Sequence, residues 1–187
     1  MCADQRIKKM EKNFIIAGFG GQGVLLAGTI LANAFMLAGK SVTWYPCYGA
    51  EMRGGTVNCE IVVSDSEVSS VHKQDTDFAL VLNQQSFDKF VQRVKSGGTI
   101  VANSTLIAEA KPRADIHYVF APMTQIANEL GNGKVTNMVS LGVLSSVCNL
   151  VQQEFLAKGV EKVLGEKKKQ FLPLNMKALE MGSGCLV

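Results

Sequence analysis

At 187 residues the chain has the size of one ordinary domain, so several catalytic domains do not fit within it. With 47% hydrophobic and 19% charged residues it is too apolar to stay disordered. Nineteen Lys and Arg against 16 Asp and Glu give a net charge of +3, much of it in Lys8, Lys9, Lys12 and the lysines at 167–169. That balance calls for neither nucleic acid nor a membrane as partner.

Taken in chain order, residues 1–12 are polar and predict a frayed lead-in. Residues 14–17 (Phe14, Ile15, Ile16, Ala17) predict a buried strand, residues 18–23 a tight glycine turn, and residues 24–38 a helix that Gly39 ends. Residues 13–39 carry no charge, yet Gly18, Gly20, Gly21, Gln22 and Gly23 interrupt them, which excludes a membrane span of about 20 continuous apolar residues. Residues 41–45 predict a second strand closed by Pro46, residues 46–56 a glycine-rich loop, and residues 57–63 a third strand. A fourth strand follows at 77–82, a helix at 84–94, a Gly97-Gly98 turn and a strand at 99–102. Residues 116–120 predict the last strand, and Pro122 introduces a helix ending near Gly131.

Strands alternating with helices predict an α/β fold, a three-layer α/β/α domain spanning residues 1–187 with a mostly parallel central sheet. Antiparallel pairing of the strands flanking the 46–56 loop would make that sheet mixed. Residues 135–153 form a second charge-free stretch, and a helix there must be covered on more than one side, by a second layer of the same chain or by a partner subunit. Residues 154–187 predict a helical end, broken at Gly165 and Pro173, with a Gly182-Ser183-Gly184 tail.

The five cysteines (Cys2, Cys47, Cys59, Cys148, Cys185) contain no CxxC, so no local zinc or iron–sulfur ligand set is predicted. No basic-apolar-small leader is seen, and reduced thiols in a cytoplasm are expected.

Gly18, Gly20 and Gly23 satisfy GxGxxG between a strand and a helix, where glycines let a phosphate approach the backbone and the helix N–H groups point at it. A dinucleotide site also needs an acid at the end of the second strand, but that strand ends Trp44-Tyr45-Pro46. The turn is therefore open to three readings: a structural tight turn, an anion or phosphate site, or, against the missing acid, an NAD site. Gly39-Lys40-Ser41 follows a helix instead of preceding one and lacks the first glycine of a Walker A loop. The loop Tyr48-Gly49-Ala50-Glu51-Met52-Arg53-Gly54-Gly55 offers close backbone approach and a guanidinium for a carboxylate or phosphate. Its alternative is a surface loop with Glu51 and Arg53 paired to each other. Neither His72 nor His117 lies near Cys47 in sequence, and Glu67, Asp75 and Asp77 have no metal-ligand spacing.

Gly18-Phe19-Gly20-Gly21-Gln22-Gly23-Val24, the Tyr48 to Gly55 segment, Leu82-Asn83-Gln84, Asn103-Ser104, Glu129-Leu130-Gly131-Asn132 and the run from Asn137 to Gly142 resemble the gamma subunit of 2-oxoacid:ferredoxin oxidoreductases. The likeness runs over residues 14–179 and is strongest to the 2-oxoglutarate type. Cys47 and Val71-His72 depart from the family's usual residues. The resemblance implies a subunit without catalytic residues or metal of its own, in a complex that converts a 2-oxoacid and coenzyme A to acyl-CoA and CO2 and reduces ferredoxin. It places thiamine diphosphate, Mg2+ and iron–sulfur clusters on alpha, beta and possibly delta subunits. On that basis Gly18, Gly20, Gly21, Gln22, Gly23, Tyr48, Glu51, Arg53, Gly54 and Gly55 are expected to face substrate or CoA, and Asn137, Met138 and Leu141 a partner subunit. A homodimer is expected in isolation. The competing expectation is an independent nucleotide-binding α/β module using the glycine turn.

Overall fold

Strand β1 (Glu11–Phe19) buries Phe14, Ile15, Ile16 and Ala17 in succession, which a strand does only when both its faces are covered. A computed structural model describes residues 10–48, 56–68, 70–110 and 113–186 of the chain. After β1 come α1 (Val24–Leu37), β2 (Ser41–Tyr48), β3 (Thr56–Ser64), β4 (Thr76–Val81), α2 (Gln84–Phe90), β5 (Val94–Asn103) and β6 (His117–Ala121). Four helices close the order: α3 (Met123–Glu129), α4 (Thr136–Cys148), α5 (Gln153–Leu164) and α6 (Leu172–Gly184).

The six strands form one sheet in the order β2-β3-β1-β4-β5-β6. β1, β4, β5 and β6 pair in parallel, whereas β3 runs antiparallel to both β1 and β2, so the sheet is mixed. One face packs Phe14, Ile16, Ile61, Leu80 and Val101 under α1, α3, α4, α5 and α6. The opposite face packs Ile15, Ala17, Ala79, Val81 and Ile100 under Phe87 and Phe90 of α2. The three layers are thus present but unequal.

Several local expectations are corrected by tertiary context. Pro46 continues β2 instead of closing it; β2 is an edge strand, where a missing N–H facing solvent breaks no ladder. Gly97 and Gly98 lie inside β5, where Gly97 takes φ +75° near a register shift against β4. The helix at 84 stops at Phe90, with a 3-10 turn to Arg93 before β5 begins. Pro173 starts α6 instead of breaking a helix, because a first-turn residue needs no N–H partner. Gly182, Ser183 and Gly184 are the last turn of α6 and no tail.

The charge-free α4 is covered by its own chain. A Cβ on Gly142 would fall on the Leu179 carbonyl and one on Gly182 on the Val139 carbonyl, so α4 and α6 cross backbone to backbone. Met138 and Leu141 are fully buried in this core and Asn137 is buried beside the glycine turn. These three residues, expected to face a partner subunit, thus pack against the second layer of the same chain. Among the described residues no helix is long and apolar enough to cross a membrane.

Candidate functional site

Because β1, β4, β5 and β6 are parallel, their carboxyl ends open on one edge of the sheet, where α/β folds place ligands. The glycine turn leaves β1 on that edge. Gln22 N–H donates to the Phe19 carbonyl at 3.2 Å, Gly21 and Gly23 take φ +95° and +75°, and Ala27 N–H donates to the Gly23 carbonyl at 2.9 Å to start α1. Those positive angles are why glycine stands at both positions.

The glycines divide by direction. At Gly18 a Cβ would come within 2.6 Å of Gln22 Oε1 and 2.9 Å of Val24 Cγ2, and at Gly23 it would collide with the Asn137 amide. At Gly21 it would meet nothing within 4 Å, and at Gly20 only Val57 Cγ2 at 4.0 Å. The rim formed by Gly20 and Gly21 is exposed; Gly18 and Gly23 face inward.

Four side-chain amides line the same edge. Gln22 Oε1 accepts from Phe19 N–H at 2.6 Å and from Asn83 Nδ2 at 3.2 Å. Asn83 Oδ1 accepts from Ser86 N–H at 2.9 Å, capping α2 just past the end of β4. Asn103, fully buried as the last residue of β5, donates to Thr124 Oγ1 at 2.8 Å and to the Leu82 carbonyl at 3.4 Å. Asn137 Nδ2 donates to the Gly23 carbonyl at 3.3 Å. Asn83 and Asn103 were noticed in sequence only as part of a family likeness. The physical signal was an Asn directly after each of two parallel apolar strands, and Asn137 enters the site where an interface was expected.

The register also places the described residues that flank the second expected element. Val57 of β3 pairs with both Gly18 and Tyr48, and Thr56 pairs with Phe19. Tyr48 and Thr56, the described residues on either side of 49–55, therefore lie at the same end of the sheet as the glycine turn. Glu51, Arg53, Gly54 and Gly55 lie outside the described residues.

The described thiols and imidazoles assemble no nucleophile. Burial, and secondarily Glu60, push the Cys47 thiol up, and burial pushes Cys59 up to about 12. His72 Nδ1 is held by Glu60 at 2.7 Å, and His117 begins β6 at the opposite edge from the site. Cys47 and Cys59 sit on opposite faces of the sheet, since the register matches Cys59 with Pro46. Among the described residues no group of three or more His, Cys, Asp or Glu converges to hold a metal, so these residues do not fit a metal or a cluster. What the edge leaves open is backbone approach at Gly20 and Gly21, while the buried amides of Asn83, Asn103 and Asn137 are engaged within the chain and position that rim.

The geometry defines a three-layer α/β domain with a mixed sheet and a glycine turn at the carboxyl ends of its parallel strands. The chain belongs to the pyruvate ferredoxin/flavodoxin oxidoreductase family, whose model matches residues 13–185. It is 36% identical over 170 residues to the ketoisovalerate oxidoreductase subunit VorA of Methanothermobacter marburgensis, covering 90% of this chain and 35% of that one. The chain thus spans about a third of the length of its VorA relatives. It is 35% identical over 160 residues to the 2-oxoglutarate synthase subunit KorC of Methanocaldococcus jannaschii, covering 84% of this chain and 86% of that one. Among solved structures, the gamma subunit of a keto/oxoacid ferredoxin oxidoreductase from Geobacter sulfurreducens matches with TM-score 0.82 and 30% identity, covering 94% of this chain and 96% of that one. The 2-oxoglutarate:ferredoxin oxidoreductase of Magnetococcus marinus, solved with 2-oxoglutarate, coenzyme A and succinyl-CoA bound, matches with TM-score 0.85 over 94% of this chain and 31% of that one. At 23% identity that last likeness is one of fold.

Proposed function

We propose that the chain is the gamma subunit of a cytoplasmic 2-oxoacid:ferredoxin oxidoreductase with 2-oxoglutarate as the favoured oxoacid. The observation that carries this is the near end-to-end match to KorC, 84% of this chain against 86% of that subunit. In this reading alpha and beta subunits, with or without delta, hold thiamine diphosphate, Mg2+ and iron–sulfur clusters, and those groups supply the decarboxylation and electron transfer to ferredoxin. This chain binds and orients. The Gly20–Gly21 rim and the Tyr48 to Gly55 loop face the substrate or CoA channel together, with Arg53 neutralising a carboxylate or phosphate. Without its partners the chain is inactive and self-associates as a homodimer.

The likeness to VorA at 36% identity supports a second substrate, a branched 2-ketoacid, on the same reading. An independent nucleotide-binding module is not favoured, because β2 ends Pro46-Cys47-Tyr48 with no acid for a ribose. The test is anaerobic co-purification of this chain with its partners, then assay of CoA-dependent dye reduction with 2-oxoglutarate and with 2-ketoisovalerate. Highest kcat/KM with 2-oxoglutarate, and a raised KM for CoA or oxoacid in Arg53→Ala, support the reading. A chain recovered alone and inactive overturns it, and unchanged Michaelis constants in Arg53→Ala overturn the channel role.

A further inference from the structure

A glycine turn ahead of a helix leaves inward-facing amide hydrogens that a bound anion can take. Here the chain supplies its own acceptor. Gln22 Oε1 lies 2.6 Å from the Phe19 nitrogen, and Asn83 Nδ2 donates to the same oxygen from 3.2 Å. Gly18 is small because that carboxamide occupies the space its Cβ would need. From the other side Asn137 fills the space beside Gly23. The concavity of the turn is therefore closed by polar side chains of the same molecule, and only the Gly20–Gly21 rim is open.

We propose that Gln22 is a positioning residue whose carboxamide oxygen stands in for an anion inside the turn, locks residues 18–23 to the N-terminus of α2 through Asn83, and keeps phosphate out of the concavity. This rests on the channel-facing reading of the turn and says which part of it meets ligand: the rim binds and Gln22 braces. The working atom is an acceptor oxygen. A carboxylate at position 22 can replace it, and a side chain of similar length with no acceptor oxygen cannot.

The test compares Gln22→Glu and Gln22→Met with the parent full-length chain. By NMR, Phe19 N–H exchange is slow in the parent and in Gln22→Glu and at least about tenfold faster in Gln22→Met, which has lost that hydrogen bond. Inorganic pyrophosphate added to the parent chain leaves the Phe19 amide resonance in place. In the assembled enzyme Gln22→Met lowers kcat, and Gln22→Glu restores most of the loss. Unchanged Phe19 exchange in Gln22→Met, or a pyrophosphate-induced shift at Phe19 in the parent, overturns the proposal. So does a Gln22→Glu enzyme as slow as Gln22→Met, which would mean that the amide NH2 contacts ligand. If Gln22→Met fails to fold, protection of Phe19 in Gln22→Glu alone decides. The exchange measurement needs no partner subunit, so its failure is separable from failure of the oxidoreductase reading.

Discussion

Asn137 and Gly23 stand 114 residues apart in the chain and are joined by a 3.3 Å hydrogen bond from Asn137 Nδ2 to the Gly23 carbonyl. The contact ties the first residue before α1 to the first turn of α4, and it holds only because Gly23 has no side chain. Gly23→Ala must accept φ +75° and displace the Asn137 amide. The left-handed backbone alone costs about 1–2 kcal/mol, and Asn137→Ala, which loses one hydrogen bond, costs about 1 kcal/mol. Urea unfolding of the full chain should rank Gly23→Ala as the more damaging change.

The crossing of α4 and α6 depends on Gly142 and Gly182 in a different way. Neither needs a positive φ; each lacks a Cβ because a carbonyl of the other helix lies there. Gly142→Ala would improve an exposed helix but here must push two helices apart. Overpacking of this kind costs about 1–3 kcal/mol. A thermal melt of Gly142→Ala should show a lowered Tm, whereas Gly184→Ala, with open space around it, should melt close to the parent.

On the less covered face, Glu60 of β3 is 5% exposed and is held by Arg93 Nη1 and His72 Nδ1, each at 2.7 Å. Arg93 also donates to the carbonyls of Lys73 and Gln74, so one guanidinium fastens the segment before β4 onto the sheet. Arg93→Met leaves a buried carboxylate facing only a half-exposed imidazole, an uncompensated charge worth about 3 kcal/mol. Adding Glu60→Gln to Arg93→Met should recover part of the loss in a double-mutant cycle read by chemical denaturation.

Asp77, at the start of β4, contributes to the loss of stability in acid. Burial works to raise its pKa, but the Asn13 N–H at 2.9 Å, Lys95 at 3.0 Å and Lys12 at 3.3 Å outweigh burial and hold it below the ordinary carboxylate range. A lowered folded pKa means the stabilisation is complete above the unfolded value of about 3.9 and is lost as pH falls through the folded value. Urea midpoints taken from about pH 6 down to about pH 3 should fall more steeply for the parent than for Asp77→Asn. Parallel curves would contradict this.

The parts of the fold legible in the sequence were those set by local pattern. Apolar runs at 14–17, 57–63, 77–82 and 99–102 became β1, β3, β4 and β5, and the loop joining β2 to β3 was short enough to suggest the antiparallel pairing that is found. What stayed illegible depended on neighbours distant in sequence. Pro46 is tolerated because β2 is an edge, and Gly97 and Gly98 sit inside a strand through a register shift. The charge-free α4 shows the same limit: absence of charge implied cover, but only the close approach of Gly142 and Gly182 identifies α6 as the cover. At the site, spacing revealed the glycine turn. Gln22 fills it through a contact only three residues away, with Phe19 N–H, but that Asn83, Asn103 and Asn137 brace the edge follows from contacts across 21 to 114 residues that no local pattern encodes.

The central claim is that this chain completes a 2-oxoacid:ferredoxin oxidoreductase without carrying its redox groups. The most direct measurement is anaerobic reconstitution of the partner subunits with and without this chain, read as 2-oxoglutarate- and CoA-dependent reduction of ferredoxin. The account predicts full turnover when the chain is added and a loss of at least about tenfold, or loss of assembly, when it is left out. Equal turnover with and without it would contradict the account.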